Sequence, residues 1–344
     1  MKLNEHHKLA AALAVALALL AVNSSQAQDP PGLNRTTPQQ MLAATNSLPP
    51  AEVPSRFHEL VNLNFASEYV TPRGMIVDNQ GLCFQPLLLT LANLYKSDGF
   101  INSLDWDGGA WADFSSAGVS VHAGAYGNHP KTDFVEIDPI FGLSAGFAKN
   151  FTLGVTYTAF GMQVLDIGTS QHLETKLSFN DSSYLGAFAL HPTLIFWQEL
   201  ADKATDADLP YKLWKEGLYP VAPRAGATDP DPNSSFYFDL GVDPSYTFKN
   251  GVKLEAPCRM LVPDERFYGD YYARSSFVGL WEVGAKGTVP LNFMPAGFGH
   301  WNFFMGIKFL YFVDDNLVNL NTFNATRGPA RDTVQGFSGV SLFF

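Results

Sequence analysis

Charged residues are scarce in this chain. Asp, Glu, Lys and Arg make up 16% of its 344 residues, whereas they make up about 25% of an average soluble domain. Beyond residue 27 there is also no run of about 18 consecutive apolar residues, the length that suggests a membrane-spanning helix. The composition is therefore unlike that of an ordinary soluble domain, and the pattern excludes helical membrane spans beyond the N-terminal region.

Cysteine is scarce too, since the sequence contains Cys83 and Cys258 alone. They fall on predicted strands that lie far apart in the sheet, so we expect two separate thiols, either buried or facing lipid. A disulfide between them is the alternative, because an oxidising compartment allows one.

Aromatic residues, by contrast, are abundant. They make up 14% of the chain, with 28 Phe and 13 Tyr, yet the mean hydropathy is −0.02. This combination is typical of strands in which apolar and polar residues alternate, as in membrane β-barrels. The formal net charge of −11 disfavours nucleic acid as a partner, because the phosphate backbone is bound by basic surfaces.

The first 27 residues have the features of a secretory signal peptide. Lys2 and Lys8 accompany an unbroken run of Ala, Leu and Val over 9–22, and small residues follow up to Ala27. The run is shorter than the ~20 residues that a spanning helix needs, so we predict cleavage after Ala27 rather than an anchor. No cysteine follows that point directly, which excludes a lipoprotein. The predicted organisation is a signal peptide over 1–27, a proline-rich periplasmic lead-in over 28–57 and a barrel over 58–344.

From residue 58 onward, apolar residues recur at every second position. The stretch 236–249 has apolar side chains at its even positions and mostly polar ones between them. This period of two indicates half-buried β-strands. The predicted fold class is therefore all-β, a single antiparallel transmembrane barrel of about 12 strands. The predicted strands cover about 60–70, 82–95, 109–122, 133–149, 151–162, 171–180, 183–199, 235–249, 251–262, 276–291, 300–313 and 333–344.

The predicted connections alternate between short and long, as periplasmic turns and outer loops do in outer-membrane barrels. Short turns are predicted at 149–150, 180–182 and 249–251, the last with an Asn-Gly hairpin signal. Two further connections on that side, 96–108 and 292–299, are longer than the pattern prefers. The long connections are 200–234, 263–275 and 314–332.

The chain ends on an aromatic residue in a strand-like segment. Val340, Leu342 and Phe344 share one face, which resembles the C-terminal signal read by the barrel-assembly machinery of outer membranes. Pairing of the last strand with the first, near Leu60, would remove the exposed sheet edges. A soluble β-sandwich also alternates, but aromatics at strand ends favour membrane-interface girdles. Those aromatics are Tyr69, Tyr157, Trp281, Trp301 and Tyr311.

The segment 63–74 resembles the opening of a family of uncharacterised bacterial outer-membrane β-barrels. That family opens with a strand carrying Ser, an acidic residue and Tyr, followed by Arg-Gly. Here Ser67, Glu68 and Tyr69 fit, and one extra residue separates Tyr69 from Arg73 and Gly74. Gln85-Pro86 before an apolar strand and the acidic pair at 136 and 138 are similar too. The resemblance implies the fold and an outer-membrane location, and it implies no activity.

Charged residues on the polar strand faces are predicted to point into the lumen. Both signs are present, so they either pair into a network that fills a narrow barrel or line a pore, and in both cases they need partners or water. Inward apolar residues in the seventh and eleventh strands indicate a partly filled interior or, alternatively, an apolar ligand pocket. These are Leu185, Ala187, Ala189, Ile195, Trp197, Phe304, Leu310 and Phe312. The candidate lumen-lining charges are Glu68, Glu136, Asp138, Glu174, Lys176, Asp239, Asp243, Lys253, Glu255, Arg259, Glu282, Lys286 and Lys308.

The connection 200–234 is the longest one, and long loops are often functional. It is expected to be either a solvated outer loop or a segment that folds inward and narrows the lumen. Its acidic pairs, at 206 and 208 and at 229 and 231, are of the type that binds calcium, but they lack the spacing of a recognised site. No metal and no cofactor is therefore predicted.

No pattern in the sequence indicates catalysis. Nucleophile-elbow, phosphate-loop and dinucleotide fingerprints are absent, and no serine stands out as the partner of a histidine. His122 and His191 fall on inward faces, and His172 and His300 lie near strand ends. We therefore predict that the protein is not an enzyme.

The predicted function is porin-like passage or binding of small solutes in a bacterial outer membrane. A plugged barrel with a structural or surface-display role is the alternative, and a lipid-modifying enzyme is the less favoured one. The expected partners are outer-membrane lipid, the assembly machinery through the C-terminal strand, and small solutes.

Overall fold

The computed structural model describes residues 56–119, 132–163, 169–186, 189–201, 235–265, 267–269, 273, 275–324 and 330–344. The N-terminal strands are β1 (Phe57–Ala66), β2 (Tyr69–Val70), β3 (Ile76–Asp78), β4 (Cys83–Lys96), β5 (Ile101–Val119), β6 (Thr132–Phe147), β7 (Phe151–Met162) and β8 (Ser170–Phe179). The C-terminal strands are β9 (Thr193–Ala201), β10 (Phe236–Val242), β11 (Ser245–Thr247), β12 (Lys253–Glu255), β13 (Cys258–Pro263), β14 (Leu280–Pro290), β15 (His300–Phe312) and β16 (Asp332–Phe343). Helices α1 (Ser182–Leu185) and α2 (Asp315–Asn324) and a 3₁₀ turn (Ala296–Phe298) lie between strands.

The main sheet closes on itself as an antiparallel barrel. Strand β1 pairs with β16 from Leu60 opposite Phe343 to Ala66 opposite Phe337, and β14 pairs with β15. The barrel has 12 strands, because β10 and β11 form one barrel strand and β12 and β13 form another. Breaks at Pro244 and Pro257 divide these two, since proline has no N–H for a ladder hydrogen bond. The predicted barrel of about 12 antiparallel strands is confirmed.

The barrel has two unlike ends. The turn end holds Phe57 and Phe344, and the loop end holds the four longest connections between strands. The turn-end connections are 97–100, 148–150, 180–192, 248–252 and 291–299. The loop-end connections are 67–82, 120–131, 163–169, 202–235, 264–279 and 313–331.

Two predicted turn-end connections were wrong. Strand β5 begins at Ile101 rather than near 109, so the connection predicted at 96–108 is the short turn 97–100. The polar and glycine residues in the first half of β5 break the alternation from which strands are predicted. The turn predicted at 180–182 extends to 192 and contains α1, and β9 starts at Thr193 rather than at 183. Its Leu185 is 49% exposed on α1 and does not point into the lumen.

Side-chain hydrogen bonds explain the longer turn. The carboxylate of Asp181 accepts hydrogen bonds from the backbone N–H groups of Leu190 (2.9 Å) and His191 (2.9 Å). These bonds hold residues 190 and 191 against Asp181, so the chain enters β9 later than its apolar pattern suggests.

The C-terminus closes the barrel, with one correction. Strand β16 ends at Phe343, and Phe344 follows it. The backbone of Phe344 still exchanges two hydrogen bonds with Glu59, its N–H donating over 3.1 Å and its carbonyl accepting over 2.7 Å. The predicted pairing of the last strand with the first near Leu60 is therefore confirmed.

The outer face of the barrel is apolar. Large apolar side chains alternate outward along the strands and are exposed. They include Phe141 and Leu143 of β6, Leu153 and Val155 of β7, Phe238 and Leu240 of β10, Trp281 and Val283 of β14, and Met305 and Tyr311 of β15. No helix among the described residues is long and apolar enough to cross a membrane.

The loop end of the barrel interior is filled. Residues 67–82, called the inward segment below, pack with α2 and with Phe267 and Tyr268 against the inner wall. At the turn end a smaller apolar cluster around Leu89 and Leu91 lies inside. Neither the inward segment nor α2 is predicted by the period-two pattern. Ile195 and Trp197, and Phe304, Leu310 and Phe312, are buried inside as expected, which indicates a partly filled interior.

Candidate functional site

The inward segment is a short hairpin with a tight turn at its tip. Gly74 N donates to Thr71 O over 2.9 Å, and Met75 N donates to Thr71 Oγ1 over 3.1 Å. Gly74 has a φ of +90°, and a Cβ at this position would lie 2.4 Å from Leu280 Cδ2. Glycine is needed here for both reasons, and the turn places Arg73 inside the barrel with 1% exposure.

Replacement of Gly74 by alanine is expected to destabilise the barrel by about 1–3 kcal/mol, because the new methyl group overpacks a buried site. The measurement is urea unfolding followed by tryptophan fluorescence. Gly186→Ala is the matched control, since Gly186 also has a positive φ but nothing lies within 4 Å of its Cβ. Equal losses in the two variants would assign the effect to backbone conformation and would contradict the steric explanation.

Arg73 joins the inward segment to the barrel wall. Its Nη1 donates to His172 Nε2 over 2.7 Å and to Glu199 Oε1 over 3.2 Å. The guanidinium lies over the ring of Phe160, 4.6 Å from the centroid. Because a guanidinium only donates, Nε2 of His172 accepts and the imidazole is neutral with its proton on Nδ1. Three strands, β7, β8 and β9, thus hold one arginine of the inward segment.

Arg259 of β13 is a second contact to the same turn. Its Nη1 donates to the carbonyl oxygen of Pro72 over 2.8 Å and to Asp239 Oδ2 over 2.9 Å. Its Nε donates to Glu282 Oε2, also over 2.8 Å. The two carboxylates on neighbouring strands offset the arginine charge, which leaves the guanidinium fixed in a position to bind the backbone of the turn.

Elements at the loop end, namely α2 and Tyr268, also bind the inward segment. Asn321 of α2 accepts a hydrogen bond from Ile76 N and donates to Gly74 O, each over 2.9 Å. Tyr268 donates its hydroxyl to Arg73 O over 2.6 Å. Burial raises the pKa of the Tyr268 phenol well above its usual range, so the hydroxyl keeps its proton and remains a donor. The inward segment is therefore held on its wall side and on its loop side.

A cavity of about 300 Å³ lies beside the tip of the inward segment. Arg259, Lys286 and Lys308 contribute positive charge to its lining, and Asp138, Glu174 and Glu282 contribute negative charge. Aromatic and amide side chains also line it, including Tyr69, Trp111, Trp197, Phe304, Phe337, Asn62, Asn64, Gln85 and Gln335, beside several aliphatic residues and threonines. The lining therefore offers both signs of charge, hydrogen-bonding groups and aromatic faces to one small molecule.

A second charged cluster fills the lumen toward the turn end. Glu255 lies 3.3 Å from Lys253 Nζ through one oxygen and 3.3 Å from Lys286 Nζ through the other. Asp243 and Lys176 interact electrostatically with this cluster. Since these groups carry opposite charges and lie close together, they neutralise one another in the interior.

The structure places the thirteen candidate lumen-lining charges as follows. Eleven are buried, and Asp243 and Lys308 are half-buried. Six line the cavity, and the turn-end cluster contains Lys176, Asp243, Lys253 and Glu255. Glu68, Glu136 and Asp239 lie toward the loop end, where Glu68 accepts hydrogen bonds from Thr333 Oγ1 at 2.8 and 2.7 Å.

The contacts of Arg73 are the part of the site that the sequence does not predict. The resemblance points to Arg73 and Gly74 as a motif, but not to an inward fold. His172 is predicted near a strand end without a role, and Glu199 and Tyr268 carry no signal. Period-two alternation predicts which face of a strand a side chain occupies, but it does not predict which distant side chain that residue contacts.

A serine does lie beside a histidine, contrary to expectation. Ser170 Oγ is 2.6 Å from His172 Nε2, but Glu199 and Arg73 approach the same nitrogen. A catalytic triad needs the acid on Nδ1, opposite the serine. Ser170 is 1% and His172 0% exposed, both inside the barrel, so the pair is remote from lipid on the outer face.

Several predicted features fall elsewhere or outside the described residues. The predicted signal peptide over 1–27, most of the lead-in, His122, Ala187 and the acids of the connection 200–234 lie outside them. His191 lies in the turn 180–192, with Nδ1 3.7 Å from Asp181 Oδ1, and His300 is exposed at the start of β15. Cys83 and Cys258 are free thiols, so the alternative of a disulfide between them is excluded.

Comparisons with known proteins return solved outer-membrane barrels. An outer-membrane channel from Pseudomonas putida F1 is 11% identical with a TM-score of 0.42, covering 87% of this chain and 100% of that one. Outer membrane phospholipase A from Escherichia coli is 11% identical with a TM-score of 0.40, covering 83% and 95%. OprB from Pseudomonas putida is 10% identical with a TM-score of 0.38, covering 84% and 94%. No family model and no curated protein matches the sequence. The strand pairings establish the closed barrel, independently of these similarities.

Proposed function

We propose that this chain is an outer-membrane barrel that binds small polar solutes in its lumen and passes them when the inward segment is released. The apolar outer face supports the membrane location. Closure of the sheet supports it too, because a closed barrel leaves no backbone N–H or C=O group without a hydrogen bond in lipid. Val340 and Leu342 lie at the end of the closing strand and Phe344 follows it, and the barrel-assembly machinery would bind there.

One observation carries the proposal, namely a cavity beside a segment that polar contacts hold in place. A segment meant to fill the lumen permanently needs only apolar packing, whereas Arg73 and Arg259 bind the turn through hydrogen bonds and ion pairs. Such contacts exchange for water at moderate net cost when both partners become hydrated. They therefore suit a segment that leaves its position and returns.

The lining of the cavity suggests the class of solute. Three cationic and three anionic side chains line it, so a molecule of one charge sign meets repulsion as well as attraction. A zwitterion can place each of its charges beside a side chain of opposite sign, and a neutral polar molecule meets less repulsion from either set of charges. We propose small zwitterionic or neutral polar solutes, of a size that fits about 300 Å³.

Solute uptake into proteoliposomes, with planar-bilayer conductance alongside, tests the proposal. We expect the full chain to admit small zwitterions and neutral solutes, and Lys308→Glu to shift ion selectivity toward cations. Lys308 is the target because its side chain is 22% exposed to the cavity, more than Lys286. Lys149→Glu, in an exposed turn, is the matched control. No uptake, no conductance and no solute binding by the full chain would refute the proposal.

A permanently plugged barrel with a structural or display role is the second candidate. The apolar cluster that Met75, Ile76, Leu317 and Tyr268 form inside the loop end supports it. It requires that weakening the contacts of Arg73 leaves the lumen closed, and planar-bilayer recording of Arg73→Ala tests this.

We propose further that the protein acts without catalysis. The hydrogen bond that Arg73 donates to His172 Nε2 supports this, since the base of a triad keeps Nε2 for its nucleophile. Cleavage of phospholipid by the purified chain that is lost in Ser170→Ala would contradict it.

A further inference from the structure

A group of two carboxylates and one thiol lies where the inward segment meets the wall. It consists of Asp78 of β3, Cys83 at the start of β4 and Asp113 of β5. One ligand atom from each side chain lies within 4.8 Å of the other two, and all three residues are buried. The three come from the hairpin of the inward segment and from two adjacent barrel strands, so the group links separate parts of the fold.

The carboxylate of Asp78 is already oriented toward the thiol. Its Oδ1 accepts a hydrogen bond from Gln80 N over 2.8 Å, and its Oδ2 accepts one from Cys83 Sγ over 3.4 Å. Ligand atoms on a tetrahedral zinc ion lie roughly 3.3–3.7 Å apart, given Zn–S and Zn–O bonds of about 2.3 and 2.1 Å. The thiol and Oδ2 therefore have the separation of two ligands on one ion.

Asp113 supplies an independent indication. It is 0% exposed, and neither of its carboxylate oxygens accepts a hydrogen bond of ordinary geometry from the described residues. The Gln85 side chain is a polar neighbour that interacts with it. A buried carboxylate without strong donors is costly unless a positive charge compensates it. Asp113 points into the group of Asp78 and Cys83, so the missing charge belongs there.

The surroundings have an excess of negative charge. Glu68 and Glu136 are buried nearby and act electrostatically on Cys83 and Asp113 respectively. Arg73 acts on Glu136, but the hydrogen bonds of its Nη1 go to His172 and Glu199. One divalent cation at Asp78, Cys83 and Asp113 would reduce this excess.

We propose that Asp78, Cys83 and Asp113 bind a divalent transition metal of the Zn²⁺ type, which fastens the inward segment to the barrel wall. A thiolate ligand selects such metals over the hard cations Ca²⁺ and Mg²⁺. On binding, the thiol releases its proton to solvent, and the metal takes the place of the hydrogen bond from Cys83 to Asp78. The inference goes beyond solute passage and does not depend on it.

The test is metal binding by the full chain, folded in detergent after removal of metal. We expect one Zn²⁺ per chain by elemental analysis, and with Co²⁺ as probe a thiolate-to-metal charge-transfer band. Cys83→Ser and Asp113→Asn should weaken binding by more than the about 10–100-fold that loss of an outer-shell partner costs. Cys258→Ser is the matched control, because Cys258 is the second free thiol and lies outside the group.

Heat-modifiable gel migration shows whether each variant has folded into a barrel, so loss of Zn²⁺ binding can be separated from misfolding. A folded Cys83→Ser barrel that no longer binds Zn²⁺ supports the site. If Cys83→Ser does not fold, the same readings are taken on Asp113→Asn and Asp78→Asn. Absence of Zn²⁺ binding by the folded chain, binding that survives in both Cys83→Ser and Asp113→Asn, or preference for Ca²⁺ would each overturn the proposal.

Discussion

Replacing Arg73 with alanine is expected to raise the conductance of the barrel and to lower its stability. The substitution leaves Glu199 buried beneath the inward segment without its arginine, and removing one partner of a buried ion pair costs about 3–5 kcal/mol. This cost falls on the state in which the segment is in place, because Glu199 becomes hydrated once the segment leaves. At about 1.4 kcal/mol for each factor of ten, the ratio of released to bound segment rises about a hundredfold to a few thousandfold.

Planar-bilayer recording of Arg73→Ala beside the unsubstituted chain measures the effect as open probability. Arg73→Lys should fall between the two, since lysine keeps the charge but not the planar guanidinium that lies over the ring of Phe160. Arg331→Ala is the control, because Arg331 pairs with Asp315 at an exposed site, where such a pair is worth about 0–1 kcal/mol.

The same variant separates the two proposed functions. A folded Arg73→Ala barrel, shown by heat-modifiable migration, that conducts no better than the unsubstituted chain would contradict a releasable segment. That outcome would favour the permanently plugged barrel, in which apolar packing around Met75 and Leu317 suffices to keep the lumen closed.

An arginine on the outer face should be the most damaging single charge in the strands. Val155 lies in the middle of β7, is 40% exposed and pairs with Leu143, which is 50% exposed. If lipid covers this face, Val155→Arg places a charge near the bilayer midplane and costs about 2–4 kcal/mol. The free energy of unfolding in guanidinium, measured in lipid vesicles, gives the effect.

Asp98→Arg provides the comparison, because residue 98 lies exposed in the turn 97–100. Near the membrane interface the same residue costs about 0–1 kcal/mol. Equal tolerance of arginine at 155 and at 98 would mean that water, not lipid, covers the outer face, and the membrane location would then be wrong.

Much of the barrel follows from local patterns in the sequence. Alternation in stretches such as 236–249 and 300–313 predicts strands and their outward faces, because side chains point to opposite sides of a strand in turn. The Asn-Gly pair at 250–251 predicts a hairpin, and Gly251 has the positive φ, +83°, that the turn requires. The aromatic end of the chain predicts closure, which the pairing of Leu60 with Phe343 confirms.

Boundaries were less secure where side chains override the pattern. The segment 183–192 alternates well enough to resemble a strand, yet the carboxylate of Asp181 binds the backbone of Leu190 and His191, and the strand begins only at Thr193. A side-chain hydrogen bond of this kind competes with the sheet, and its partner cannot be read from periodicity.

The pattern of residues along the chain is enough to predict the barrel wall, with its strand class, its number of strands, its outer and inner faces and its closure. The content of the lumen, by contrast, depends on contacts that form only in the folded protein. Arg73 meets His172 across 99 residues and Glu199 across 126, and Arg259 meets Pro72 across 187. The physical reason is that strand alternation is a local property of the backbone, whereas these contacts exist only once the closed wall has set the distances between far parts of the chain.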